Sequence, residues 1–298
     1  MTVLEVIQKS TDYLAKRGVE SARLQTELLL ADVLQMPRMR LYLEFEREVP
    51  APQLGTLREL VRRRGRREPL QHLVRSMSFC GLELKATPAA LIPRPETELL
   101  AEKAWGWVQA RRDAGGGSAT VRVLDFGTGG GCIACAVAVR VPKAEVHALD
   151  CSKQALDLAR ENAHRLGLGE RIRFHHGEGL AALPDGLLFD LIVSNPPYIP
   201  SAEIDQLEPE VRDHDPRLAL DGGEDGMTWF RHLAQSGRQR VVGGGGLLVE
   251  FGAGQEAALP DLFAGENWIV EEISSDYTAR PRFLAARLPE GGGAGNGE

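Results

Sequence analysis

Residues 121–134, Val-Arg-Val-Leu-Asp-Phe-Gly-Thr-Gly-Gly-Gly-Cys-Ile-Ala, constrain the fold more than any other stretch. An apolar strand pattern ends at Asp125, passes through glycines at 127, 129, 130 and 131, and opens directly into an apolar helix. Such a loop brings backbone close to a ligand and aims a helix N-terminus at it. A glycine triplet alone is a weak sign, but its surroundings tighten it. Residues 146–150 form a second short strand ending in Asp150, whose carboxylate can hold the two hydroxyls of a ribose, and a helix follows over 153–166. Strand, glycine loop, helix, strand and acid together predict a mostly parallel, twisted α/β sheet of Rossmann-like type.

Two kinds of cofactor fit that arrangement. A dinucleotide carries a pyrophosphate and goes with G-x-G-x-x-G, whereas S-adenosylmethionine has no phosphate and goes with D-x-G-x-G-x-G. Asp125, Gly127, Thr128, Gly129, Gly130 and Gly131 follow the second pattern. An acid at 125 would repel pyrophosphate but suits the cationic methionine end of S-adenosylmethionine. A third strand, 172–178, ends in Glu178, placed to meet an adenine amino group. His175 and His176 could be read as metal ligands, but neighbours on a strand point to opposite faces, so no metal site is expected.

The fourth strand, 189–193, delivers Ser194-Asn195-Pro196-Pro197-Tyr198 to the carboxyl edge of the same sheet. An amide or exocyclic amine nitrogen is a poor nucleophile because its lone pair is delocalised. An enzyme that methylates one must aim it with hydrogen-bond acceptors. The Asn195 side-chain carbonyl and the Pro196 backbone carbonyl can take the two N–H groups, two prolines of fixed φ keep the loop from relaxing, and Tyr198 offers a flat face. Alone, N-P-P is equally a stiffened turn after a strand. Sharing one crevice with the cofactor loop makes it a methyl-acceptor site.

Helical spacing over 3–16, 21–36 and about 51–66 predicts a small all-helical N-terminal domain, 1–75. Its basic end, Arg58, Arg62, Arg63, Arg64, Arg66 and Arg67, reads either as a docking patch or as a solvated helix face. A hairpin around Gly81 lies in a linker, 76–90, and the methyltransferase domain follows over 91–289. Prolines on either side hold Arg94 extended before a helix that starts with acids and runs to about 112. A polar loop, 213–226, leads into a helix at about 227–241. The glycines 243–246 read as a tight turn, 268–274 and 283–287 as the last strands, and the tail 290–298 as disordered.

The 298 residues carry a net charge of −7, which argues against a nucleic-acid substrate. No run approaches the ~20 apolar residues of a membrane span, and the N-terminus has neither signal-peptide nor transit-peptide character, so a cytoplasmic enzyme without membrane partners is expected. Cys132 and Cys135 form C-x-x-C, but inside an apolar helix rather than at a redox-motif turn.

With these residues in place, the chain resembles the protein-glutamine methyltransferases that modify peptide chain release factors, the HemK or PrmC family. The resemblance runs through R-R-E-P-L-Q-H (66–72), I-P-R-P-E-T-E (92–98), D-F-G-T-G-G-G-C-I-A, S-N-P-P-Y-I-P, P-R-L-A-L-D-G-G-E-D-G (216–226) and L-L-V-E-F-G-A-G-Q (247–255). I-P-R-P-E-T-E is the most diagnostic, since ribosomal-protein glutamine methyltransferases differ there. The resemblance implies methyl transfer from S-adenosylmethionine to the side-chain amide of the glutamine in a release factor's Gly-Gly-Gln loop, with Asn195, Pro196, Pro197 and Tyr198 at the acceptor and Arg94 near the substrate. The chain departs from the family at Gly179, where a tryptophan is usual, at Glu178 for Asp, at Asp215, and in 276–282, a looser D-x-x-G-x-x-R. The rival readings are an amino-methyltransferase acting on DNA or RNA bases, one acting on a ribosomal-protein glutamine, and a non-catalytic cofactor-binding partner of a translation factor.

Overall fold

The computed structural model describes residues 1–117 and 119–291; the predicted disordered tail lies, from 292 on, outside them. The chain divides into two units: Met1–Ser76 with Leu207–His214, and Met77–Gln206 with the chain from Asp215 onward. The first unit holds α1 (Val3–Ala15), α2 (Ala22–Val33), the one-turn α3 (Arg38–Leu41), α4 (Ala51–Arg64) and α5 (Leu70–Val74). Thr2 starts α1 with a capping box: its hydroxyl accepts from the Glu5 N–H while the Glu5 carboxylate accepts from the Thr2 N–H. Val3, Val6, Ile7 and Leu14 then face Leu29, Leu30, Leu57 and Val61 in one core. Each such side chain contributes about 1.5–3 kcal/mol when fully buried.

The hairpin β1 (Ser76–Phe79) and β2 (Leu82–Lys85) comes next, then α6 (Pro95–Ala114), whose first turn carries Pro95, Glu96 and Glu98. The sheet unit continues with β3 (Arg122–Phe126), α7 (Cys132–Arg140), β4 (Glu145–Asp150), α8 (Lys153–Arg165), β5 (Ile172–His176) and β6 (Phe189–Ser194). After the 207–214 segment with its one-turn α9 (Pro209–Arg212) come α10 (Thr228–Gly237), β7 (Val241–Glu250), α11 (Ala258–Gly265), β8 (Ile269–Ser275) and β9 (Pro281–Arg287). The seven strands order as β5-β4-β3-β6-β7-β9-β8. Ladders among β5, β4, β3, β6 and β7 are parallel, and β9 is antiparallel to both neighbours. Alternation splits the strands between two cores: Val123, Leu191 and Val193 face α6 and α7, while Leu124 and Ile192 face α10 and α11. The chain starts at β3, moves outward to β5, and returns to β6 beside β3. The loops after β3 and β6 therefore open at a topological switch point, where such sheets bind ligands.

Two expectations are corrected here. The glycines 243–246 do not form a turn; they lie inside β7, and the helix before them ends at Gly237. A register shift opposite Phe189 and Leu191, with Gly244 at φ +72°, makes this a bulge. A Cβ on Gly245 would stand 2.8 Å from the Asp190 carbonyl oxygen, and one on Gly246 3.1 Å from the Trp107 ring, so close packing selects glycine where sequence reading saw a break. The basic end of α4 is a solvated face only in part: Arg58, Arg62 and Arg66 are exposed, whereas Arg63, Arg64 and Arg67 are not. Arg62 pairs with Glu59, Arg63 with Glu68, Arg64 with Gln25 and Glu210, and Arg67 with Glu208 and Glu210. Arg64 is 4% exposed, so the 207–214 segment supplies an acid to a buried cation of its own unit.

Candidate active site

A cleft open to solvent, about 780 Å³, lies over the carboxyl ends of β3, β4 and β6. Of the residues predicted at the site, Gly127, Gly129, Asp150, Asn195 and Pro197 line it. Asp125, Thr128, Gly130 and Gly131 build the loop from beneath. Pro196 is buried, while Arg94 and Glu178 are exposed; these three and Tyr198 are not among the lining residues.

Asp125 organises the loop. Its Oδ2 accepts from the Thr128 hydroxyl at 2.6 Å and from the Ala134 N–H at 3.0 Å, tying the loop to the first turn of α7. Its Oδ1 has no hydrogen-bond partner among the described residues. Burial pushes this carboxyl up to about 7, against the Thr128 and Ala134 hydrogen bonds that pull it down. Gly131 sits at φ +81°, where a Cβ would stand 2.9 Å from the Ala159 Cβ, so α8 can pack only against glycine. Gly127, at φ +70°, has open space where a Cβ would project into the cleft. That cradle fits a ligand pressed against backbone, as S-adenosylmethionine requires.

Asp150 ends β4 with Oδ2 accepting from the Gly129 N–H and Oδ1 from the Ser152 N–H, both at 2.8 Å. Each oxygen keeps a lone pair for a ribose hydroxyl. Gly177 and Gly179 bring the loop after β5 to the cleft wall. At Gly179, φ +65°, a Cβ would stand 2.9 Å from the His232 ring, whose Nε2 accepts from the Leu180 N–H. His232 also stacks on Phe126 at 5.8 Å, and Phe126 and Trp229 line the cleft. The space a tryptophan at 179 would need is thus taken by α10. Burial holds the Cys132 and Cys135 thiols protonated, Cys135 up to about 12, which leaves the C-x-x-C pair inert. His175 and His176 do point apart: one meets His147 at 2.8 Å, the other the Cys151 carbonyl at 3.1 Å.

Around Asn195-Pro196-Pro197-Tyr198, sequence reading missed the supporting residues. Asn195 Nδ2 donates to the Thr97 hydroxyl at 3.1 Å, and that hydroxyl donates to Glu250 Oε2 at 2.9 Å. Gln255 donates to the Tyr198 and Gly226 carbonyls, both at 3.1 Å, and accepts from the Gly252 N–H. The Tyr198 ring lies against Gly252, where a Cβ would stand 2.9 Å from it; burial pushes its phenol up to about 12. Ser194 Oγ donates to the Phe126 carbonyl at 2.7 Å, joining the two loops at their roots. One signal could have found Glu250: like Asp125 and Asp150, it is an acid at the end of a parallel strand.

The parallel sheet, the glycine loop and the acid that ends the next strand define an S-adenosylmethionine-dependent methyltransferase. Residues 5–74 match the PrmC N-terminal domain and 115–211 the methyltransferase small domain. The chain is 42% identical to the release factor glutamine methyltransferase of Geobacter sulfurreducens, covering 96% of this chain and 97% of that one. It is 39% identical to the one of Moorella thermoacetica, over 97% and 100%. A methyltransferase of Pyrococcus furiosus shares the fold at a TM-score of 0.52 and 16% identity, over 70% of this chain and 90% of that one. The chain belongs to the release factor glutamine methyltransferase family. No described helix is long and apolar enough to cross a membrane.

Proposed function

We propose that the protein methylates the side-chain amide nitrogen of the glutamine in the Gly-Gly-Gln loop of peptide chain release factors, in the cytoplasm. The observation that carries this reading is the placement of Asn195 and Pro197 on the wall of the cleft that Gly127, Gly129 and Asp150 also line, in a chain of this family.

S-adenosylmethionine, when bound, supplies an electrophilic methyl group on a sulfonium. Asp150 holds the ribose end, while Gly127 and Gly129 admit the ligand to the backbone. Asp125 and Thr128, with Gly130 and Gly131, keep the loop in shape. Asn195 Oδ1 and the Pro196 carbonyl accept the two protons of the substrate amide, which raises electron density on its nitrogen and fixes its direction. Pro197 stiffens the loop, and Tyr198 backs it. Arg94, exposed at the start of α6, is left to meet the substrate; burial pushes the nearby Asp215 and Glu250 carboxyls up, and the Arg94 charge opposes that only in part. Glu178 reaches the adenine amino group only by turning in from its exposed position. No dedicated base is needed: alkylation makes the nitrogen strongly acidic, and one of the two protons held by the carbonyls passes on to solvent as the neutral N-methylamide forms.

The test is transfer of labelled methyl from S-adenosylmethionine to purified release factor, to the same factor with its Gly-Gly-Gln glutamine changed to alanine, and to duplex DNA. Label on the intact factor alone is the expected result. Equal label on the alanine variant, or label on DNA, would overturn the assignment of the acceptor.

A further inference from the structure

We propose that Thr97 is a positioning residue that fixes which way round the Asn195 amide stands, with Glu250 fixing Thr97 in turn. The inference rests on the reading of Asn195 as the residue that orients the acceptor amide. An asparagine side chain has two nearly isosteric ends, one accepting and one donating, and only the accepting end can receive an N–H from the substrate. Nothing in the shape of the N-P-P loop chooses between them. The hydroxyl of Thr97 does.

Glu250 closes β7 at 2% exposure, and Thr97, in the first turn of α6, is 1% exposed. A hydroxyl has one proton. With Glu250 ionised, above about pH 7, Thr97 donates it to Oε2 at 2.9 Å, which leaves lone pairs facing Asn195. Asn195 therefore presents its NH2 to Thr97, at 3.1 Å, and turns Oδ1 the other way, as acceptor. The flipped amide would set two acceptors against each other in a buried place, a cost of about 1–3 kcal/mol. The other charged or titratable groups acting on Glu250 are Glu96 and Arg94 at the start of α6 and Arg282 on β9. Tyr198, of the acceptor loop, in turn feels the Glu250 charge. None of these replaces the single hydroxyl proton that links carboxylate to amide.

The test compares Thr97→Val, which keeps the shape and removes the hydroxyl, with Thr97→Ser, which keeps the hydroxyl, and runs Asn195→Ala beside them. Thr97→Val is expected to lower kcat for release-factor methylation about 10²-fold, the scale of a misaimed reactant. S-adenosylmethionine affinity by calorimetry should stay near wild type. Thr97→Ser should restore most of the turnover. The side-chain NH2 resonance of Asn195, assigned by its loss in Asn195→Ala, should shift in Thr97→Val and return in Thr97→Ser. Turnover in Thr97→Val equal to wild type overturns the proposal, and so does equal loss in both threonine variants, which would mark a packing role. Should Thr97→Val not fold, Glu250→Met is read instead: it removes the acceptor of the Thr97 proton and frees that proton to turn toward Asn195, so unchanged kcat there overturns the proposal. If Asn195→Ala abolishes transfer while Thr97→Val does not, only this inference falls. If Asn195→Ala turns over normally, the acceptor assignment falls with it.

Discussion

Two loops leave adjacent strands of one sheet, and they are held in opposite ways. The loop after β3 is self-organised: Thr128 reaches back three residues to Asp125, Gly129 donates to Asp150 twenty-one residues on, and glycines take up the left-handed turns. The loop after β6 leans on distant chain. Its Asn195 is oriented by Thr97, 98 residues away, and Tyr198 is tied to Gln255, 57 residues away. A loop that only has to fit around a small ligand can carry its own geometry. One that must present an amide the right way round borrows its geometry from α6 and from the chain at and just after the end of β7.

Substitutions on either side should break the comparison differently. Asn195→Ala should lower transfer by about 10²–10³-fold, the cost of losing a fixed donor or acceptor at a reacting group, while S-adenosylmethionine binding measured by calorimetry stays within a few-fold. Asp150→Ala should do the reverse, weakening S-adenosylmethionine about 10²-fold as a charge-assisted pair is lost, with a smaller fall in turnover once the cofactor saturates. A normal dissociation constant for that variant would show the loop to be self-sufficient without its acid.

Subtler substitutions sharpen the contrast. Asn162 of α8 accepts from the Lys85 N–H at 2.7 Å and donates to the Lys85 and Gly130 carbonyls. Asn162→Ala should cost about 2 kcal/mol in urea unfolding, since buried backbone groups lose their partners, and should raise KM for S-adenosylmethionine rather than lower kcat. Gln255→Ala should cost about 1 kcal/mol and act on kcat. If both variants move the same parameter, the two loops are not independent.

The smallest effect is a slope. Burial pushes the Glu250 carboxyl up from 4.5 to about 7. Between those values the folded protein keeps a proton that the unfolded chain has lost, so stability falls as pH rises through the window and levels off above it. Asp125 and Asp215, also pushed up to about 7 by burial, act with the same sign. Denaturation of Glu250→Gln across pH 5–7 should show a shallower decline than wild type, and an identical slope would mean that Glu250 titrates normally.

The difference between the loops also explains what could be read from the chain. Asp125, the glycines and Asp150 are near in sequence and serve one purpose, so their spacing spelled out the cofactor loop and much of the sheet around it. The prolines of N-P-P-Y marked a stiffened loop on the same sheet edge, the one for which the acceptor role is proposed. Thr97 carried no such mark, because a threonine in a first helical turn is ordinary until the fold sets it beside Asn195, and the one mark of Glu250, an acid closing a strand, did not say which loop it serves. Glycines 243–246 were misread because a bulge under Trp107 and a turn leave the same trace in sequence. The basic run on α4 looked like a surface because its partner, Glu210, lies 146 residues beyond Arg64.

That last pairing bears on how the protein is made. Helices α1 to α5 leave the ribosome early, but the carboxylate that neutralises Arg64 is translated only after β6 and the acceptor loop. Until then the nascent unit carries the Arg64 guanidinium without the Glu210 carboxylate, and a fragment ending at Ser76 would lack it permanently. The amino-terminal module is continuous by name only: its last structural piece is synthesised after most of the parallel sheet, so the ion pairs of Arg64 and Arg67 with Glu210 can form only then.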